Sequence, residues 1–175
     1  MDVLVVVDMQ EATLLGKAKQ DLSLVVARIN RLAERVRDRG GCVVLVQHDG
    51  APGDAFAPHA PGWEILKLIK RDPSDRVVRK TLNDAFFDTS LESQLRQLGA
   101  ERVLICGWAT DLCVDSTVRS AAALGFEVVV VGDCHTVADR PHLNSGQVIE
   151  HHHWVWANLF GPHAVTIADE EDLLP

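Results

Sequence analysis

Short runs of apolar, largely β-branched residues alternate along the chain with longer amphipathic stretches, the pattern of βα units wound around a parallel sheet. The strand candidates are Val3–Asp8, Cys42–His48, Arg76–Arg79, Arg102–Gly107, Glu127–Gly132 and Ala164–Ile167. Most are continuous apolar runs, as strands covered on both faces should be. Between them, Leu22, Val25, Val26, Ile29, Leu32, Ala33 and Val36 fall at helical spacing, and Gly40-Gly41 ends that helix near Arg39. Further helices are predicted from Ser90 to Leu98, from Thr110 or Asp111 (good N-caps) to just before Gly125, and from Leu143 to Leu159. The reading is an α/β fold, a three-layer, doubly wound, six-stranded parallel sheet of order 3-2-1-4-5-6 with helices on both faces, in a single domain over residues 1–175.

The stretch from Asp49 to Asp75 breaks this rhythm. It holds Pro52, Pro58, Pro61 and Pro73, with a short helical hint only at Glu64–Ile69. Long irregular connections in compact domains are usually binding loops or lids. Ligands of doubly wound sheets sit beyond the carboxyl ends of the strands, where the strand order reverses. Three polar residues mark those ends: Asp8 after the first strand, Lys80 after the third, and Cys113 in the first turn of the helix after the fourth. The order 3-2-1-4-5-6 brings Asp8 and Cys113 together at the switch point, and Lys80 has to reach across from the third strand. A thiol at a helix N-terminus beside a Lys ammonium gains thiolate character. A neighbouring carboxylate can take the thiol proton and later pass it to a leaving nitrogen.

Composition narrows the partners. With 17 basic and 25 acidic residues the net charge is −8, and no block of basic residues offers a footprint for nucleic acid or an anionic membrane. The apolar fraction of 47% and charged fraction of 24% are those of a folded protein, and the apolar runs are strand-length, too short to span a bilayer. The chain enters its first strand without the basic flank and cleavage site of a signal peptide, so a cytoplasmic location is expected. Cys42, Cys106, Cys113 and Cys134 form no CxxC pair and are read as reduced thiols. No dinucleotide, serine-hydrolase or nucleotide motif is present.

Val5-Val6-Val7-Asp8-Met9-Gln10, Val78-Arg79-Lys80 followed by Ala85-Phe86, and Gly107-Trp108-Ala109-Thr110-Asp111-Leu112-Cys113-Val114 resemble the isochorismatase-like cysteine hydrolases, as does the later Val131-Gly132-Asp133. The resemblance covers nearly the whole chain. It implies a catalytic triad of Asp8, Lys80 and Cys113, and an oxyanion hole from the N–H groups of Ala109 and Cys113. It also implies a cis peptide at Trp108-Ala109, a homo-oligomer (dimer or tetramer), and small amides, ureas or carbamoyl compounds as substrates. Isochorismatases proper lack the nucleophilic cysteine, so Cys113 points to C–N hydrolysis. No cofactor is expected.

Nicotinamidases of this superfamily hold a divalent metal through an Asp-x-His pair after the second strand. Here the sequence is Gln47-His48-Asp49, with His59 further on, so the expectation is no metal. A metal-assisted amidase using His48, Asp49 or His59 and a catalytically silent ligand-binding subunit remain the alternatives. His48, Phe56, Phe86 and Trp108 are candidate pocket walls, with Trp63 beside them. Cys134 and His135 follow the fifth strand near the site, and His151, His152 and His153 point in different directions along one helix, so that they cannot all ligate one ion and one of them is expected to reach the site or a subunit interface.

Overall fold

The computed structural model describes residues 1–14 and 21–174. Its six strands are β1 (Asp2–Val7), β2 (Cys42–His48), β3 (Arg76–Lys80), β4 (Arg102–Trp108), β5 (Glu127–Thr136) and β6 (Thr166–Ala168). They form one sheet in the order β3-β2-β1-β4-β5-β6, parallel throughout. The helices are α1 (Leu22–Asp38), α2 (Leu91–Gln97), α3 (Asp115–Ala123) and α4 (Ser145–Ala157). No helix among the described residues is long and apolar enough to cross a membrane.

Because side chains alternate along a strand, each strand feeds two cores. Leu4, Val6, Val43, Leu45, Leu104 and Cys106 pack against Val25, Val26, Ile29, Leu32 and Val36 of α1. Val3, Val5, Val7, Val44, Val46, Val103 and Ile105 point the other way, onto Leu91 and Leu95 of α2, Val118 and Ala121 of α3, and Trp156 of α4. The α1 face is closed by charge as well. Buried Glu170 receives Arg31 at 2.8 Å and Arg35 at 2.7 Å, and Asp133 binds Arg28 at 2.9 Å while accepting the Glu170 N–H.

Three local expectations are corrected. Residues 64–69 are not helical, because their backbone pairs with the segment after β1. Glu11 N–H donates to Glu64 O and Leu66 N–H to Met9 O, while Gln10 and Ile65 form an antiparallel bridge. Leu66 and Ile69 then plug the α1-side core. The helix after β4 does not begin as a capped α-helix. Thr110–Val114 is a π-helical turn that runs into α3, with Val114 N–H donating to Ala109 O across five residues. Asp111, the proposed cap, makes a two-pronged ion pair with Arg140 instead, at 2.7 and 2.6 Å. Finally, β5 continues past Gly132 to Thr136. An irregularity in its pairing with β4 re-registers the strands so that Gly107 faces His135 and Trp108 faces Thr136.

At the centre of the sheet Gly107 pairs with Val7 at a φ of 119°, and an added Cβ would stand 2.2 Å from the Val7 carbonyl oxygen. Both the backbone angle and the contact require glycine. Gly107→Ala is therefore expected to destabilise the fold by about 3 kcal/mol or more, read as a fall in the urea midpoint. A midpoint within error of the unsubstituted chain would show that β1 and β4 are not held this closely.

Candidate active site

Asp8 is the first residue beyond β1. Its N–H still donates to Val46 O of β2 at 3.0 Å, but its φ of 48° turns the chain off the strand. Aspartate tolerates this left-handed conformation better than most residues. Lys80 ends β3, in register with His48 of β2. Two strand spacings, about 10 Å, therefore separate its backbone from that of β1. Only a long side chain bridges that gap. Lys80 Nζ meets Asp8 Oδ2 at 2.6 Å and donates to Leu82 O at 2.9 Å, with both the lysine and the aspartate buried.

Asp8 Oδ1 is also buried, and accepts no hydrogen bond among the described residues. Burial pushes the Asp8 carboxyl above its usual range, and the Lys80 ammonium opposes that rise. Cys113 lies close enough to both groups to feel the charge of each. Its thiol currently points at Asn83 Oδ1, at 3.6 Å.

The thiolate character expected from a helix N-terminus and a neighbouring lysine does not dominate. Burial first, and then the Asp8 carboxylate, push the Cys113 thiol up to about 12, against the pull of Lys80. The resting group is the thiol, so a proton acceptor is needed before sulfur can attack. The other cysteines are worse placed. Cys106 and Cys134 are buried in the sheet core, where burial raises both thiols, and Cys42 lies at the far end of β2.

The turn carrying Cys113 is tied on both sides. Thr117 Oγ donates to Cys113 O at 2.7 Å and accepts the Ala85 N–H at 3.3 Å. Asp84 accepts from Ser120 Oγ at 2.6 Å, joining the loop after β3 to α3. The Trp108-Ala109 peptide is cis. Ala109 is buried, and its carbonyl accepts from Leu112 and Val114.

The candidate pocket residues separate. His48 and Phe56 meet edge to face at 5.8 Å, and His48 is near enough to Asp8 and Lys80 to feel both charges. Burial, with Lys80, lowers the His48 pKa and favours the neutral ring. Its Nδ1 is buried without a partner among the described residues. Phe86 instead stacks on Phe126 at 6.0 Å in the layer beneath α2 and α3. Trp108 packs partly on the α1-side core and partly on Ala109, Val137 and Val148.

The metal alternative meets an arrangement already in use. Asp49 accepts from the Trp63 indole at 2.8 Å and from Arg79 at 2.9 and 2.6 Å, while the Arg79 guanidinium lies 4.7 Å over the Trp63 ring. His59 packs on Trp63 at 5.5 Å. Among the described residues no group of three or more His, Cys, Asp or Glu side chains is placed to hold a metal ion.

Two residues of the site were not singled out in the sequence. Gln10 is fully buried and clamps the pocket floor, with Nε2 donating to His48 O at 3.0 Å and Trp63 O at 2.7 Å while Oε1 accepts the His48 N–H at 2.8 Å. A buried amide two residues after a strand-ending aspartate was the available signal. Asn83 had none beyond its place in the turn after Lys80.

Residues 2–171 match the family model described as the isochorismatase domain. A streptothricin hydrolase of Streptomyces noursei is 40% identical over 142 residues, covering 81% of this chain and 51% of the relative. The ureidoacrylate amidohydrolase of Variovorax paradoxus is 30% identical over 167 residues, covering 74% of this chain and 66% of its own length. The chain thus spans about half the length of the streptothricin hydrolases it matches. A crystal structure of an isochorismatase from Pseudomonas putida KT2440 superposes with a TM-score of 0.91 at 25% identity, covering 98% of this chain and 89% of that one. By the match over nearly all its length, and by the strand order that agrees with it, this chain belongs to the isochorismatase family.

Proposed function

We propose that this protein hydrolyses the C–N bond of a small amide, urea or carbamoyl compound through a covalent intermediate on Cys113. The observation that carries the reading is the buried Lys80–Asp8 pair, whose second carboxylate oxygen accepts no hydrogen bond among the described residues, beside a thiol that has to lose its proton. The names of two relatives, a streptothricin hydrolase and a ureidoacrylate amidohydrolase, support hydrolysis of this class.

In the first half-reaction the Cys113 thiol turns from Asn83 to Asp8 and gives its proton to the carboxylate as sulfur bonds to the carbonyl carbon. Charge gathers on the carbonyl oxygen, where the N–H groups of Ala109 and Cys113 are the proposed donors, a contribution worth several kcal/mol in comparable sites. Asp8 returns the proton to the nitrogen as the C–N bond breaks, and ammonia or an amine leaves. In the second half-reaction Asp8 takes a proton from water, hydroxide adds to the thioester, and the carbon–sulfur bond breaks to release the acid as Asp8 returns that proton to the Cys113 sulfur. The Lys80 ammonium beside Asp8 favours the ionised carboxylate against the rise that burial imposes. The donors of this site supply every proton transfer, and no metal is assigned.

A panel of small amides, ureas and carbamoyl amino acids assayed for ammonia release identifies the substrate. On it, Cys113→Ala, Asp8→Asn and Lys80→Ala are each expected to lower kcat/KM by about a hundredfold or more, with losses that do not add in combination. Near-normal turnover by any one of them would sink the triad. Chelation with removal of divalent ions is expected to leave turnover unchanged, and stoichiometric zinc lost together with activity would overturn that. Because the Asp8 charge raises the Cys113 pKa, Asp8→Asn should alkylate at Cys113 with a midpoint at lower pH than the unsubstituted chain, even as turnover disappears. An unmoved midpoint would mean that the carboxylate does not act on the thiol.

A further inference from the structure

The turn that carries Cys113 begins at Thr110, which is fully buried. Its hydroxyl lies 2.8 Å from Nδ1 of His135, a buried residue near the end of β5. His135 Nε2 in turn lies 2.9 Å from Nε2 of His153 on α4. The Gly132 backbone also faces the His153 ring and favours its protonated form. Gly132 makes this approach possible, since a Cβ there would stand 3.0 Å from Asp169 Oδ1 and 3.4 Å from the His153 ring.

A backbone carbonyl only accepts, so a His153 nitrogen that bonds the Gly132 carbonyl carries the N–H. A neutral imidazole has a single N–H. Burial lowers the His153 pKa and holds His135 down to about 3, so both rings are neutral near pH 7. Each ring then has one donor to place, and the polarity of the whole chain follows from the carbonyl at its end.

We propose that Thr110, His135 and His153 form a one-directional hydrogen-bond relay that positions the Cys113 turn, with the Thr110 hydroxyl donating to His135 Nδ1, His135 Nε2–H donating to His153 Nε2, and His153 Nδ1–H donating to Gly132 O. His135 and His153 are positioning residues, remote from the reacting atoms. The inference rests on the reading that Cys113 carries the chemistry. A second tether runs parallel to the relay, where Trp156 of α4 packs on His135 at 5.3 Å and donates its indole N–H to Asp115 at 2.8 Å, just beyond the Cys113 turn.

The direction depends on the charge of His153. Protonated, it presents N–H on both nitrogens, so His135 has to move its own proton to Nδ1 and the Thr110 hydroxyl has to become the acceptor. The groups facing His153 are Asp169 just past β6, which favours the charged ring, His135 across β5, and His152 on α4, which opposes it. His152 is itself bound to Val148 O at 2.8 Å, and His135 is faced by His153 and His152. Asp115, where the second tether ends, is paired with Arg119 at 2.9 Å.

The test uses the full chain labelled with nitrogen-15 in histidine, together with the iodoacetamide alkylation rate of Cys113 followed by peptide mass spectrometry. At neutral pH the ring shifts are expected to show His135 protonated at Nε2 and His153 at Nδ1, with the His135 proton moving to Nδ1 as His153 titrates on acidification. Thr110→Val and His135→Leu should each change the Cys113 rate by about fivefold, the size of one net hydrogen bond, and the double variant by no more. His135→Asn, whose amide oxygen can accept from Thr110 at the place of Nδ1, should restore most of the rate. His135 protonated at Nδ1 in the unsubstituted chain at neutral pH would overturn the proposal, as would an unchanged Cys113 rate in folded Thr110→Val. Neither measurement uses turnover, so an absent hydrolase activity and an absent relay give different results.

Discussion

The ion pair between Lys80 and Asp8 is the constraint around which the site is arranged. Removing two charges from water is expensive, and a buried pair often contributes little net stability compared with apolar residues of the same volume. Here the pair is joined across two strand spacings at the carboxyl edge of the sheet, with both side chains essentially fully buried. Losing either partner alone leaves a buried charge uncompensated, a cost of about 3 to 5 kcal/mol. In the proposed mechanism the pair serves reactivity, placing a carboxylate beside a thiol with the Lys80 ammonium as its counter-charge.

Around that pair the polar groups do two kinds of work. Gln10, Gln47 and Asp49 fasten the long connection between β2 and β3 to the strand ends, and Trp63 is their shared anchor, accepting at its carbonyl and donating from its indole. Asp84, Thr117 and Arg140 fasten the Cys113 turn from the opposite side. The wall of the pocket and the nucleophile are thus held by separate sets of bonds. Asp8 and Lys80 stand between them.

The sheet and its order were legible because six β-branched runs and four helical faces carry strong periodic signals, and the meeting of Asp8, Lys80 and Cys113 because each ends or follows such a run. The segment around Glu64–Ile69 was misread for a physical reason. Its spacing of Ile65, Leu66 and Ile69 suits a helix face, but the backbone of residues 9–12 offers it pairing partners far away in sequence. Asp111 has the composition of a cap, and only the fold shows Arg140 taking its carboxylate. Phe86 and Asp49 were candidates by position along the chain, whereas their neighbours Phe126 and Arg79 are brought up by packing. The Cys113 pKa was the least readable feature, since burial and the sign of the nearest charge are properties of three dimensions.

Holding Cys113 as a thiol at rest has a bearing on how the protein endures its surroundings. Peroxides and stray electrophiles react with thiolates far faster than with thiols. A nucleophile kept permanently as thiolate would be open to oxidation through every idle interval. In the proposed mechanism the negative charge on sulfur arises only as Asp8 removes the proton, at the moment a carbonyl is present to receive it. Cys106 and Cys134 are shielded within the sheet core, whereas at Cys113 burial first and the Asp8 carboxylate second keep the proton on sulfur.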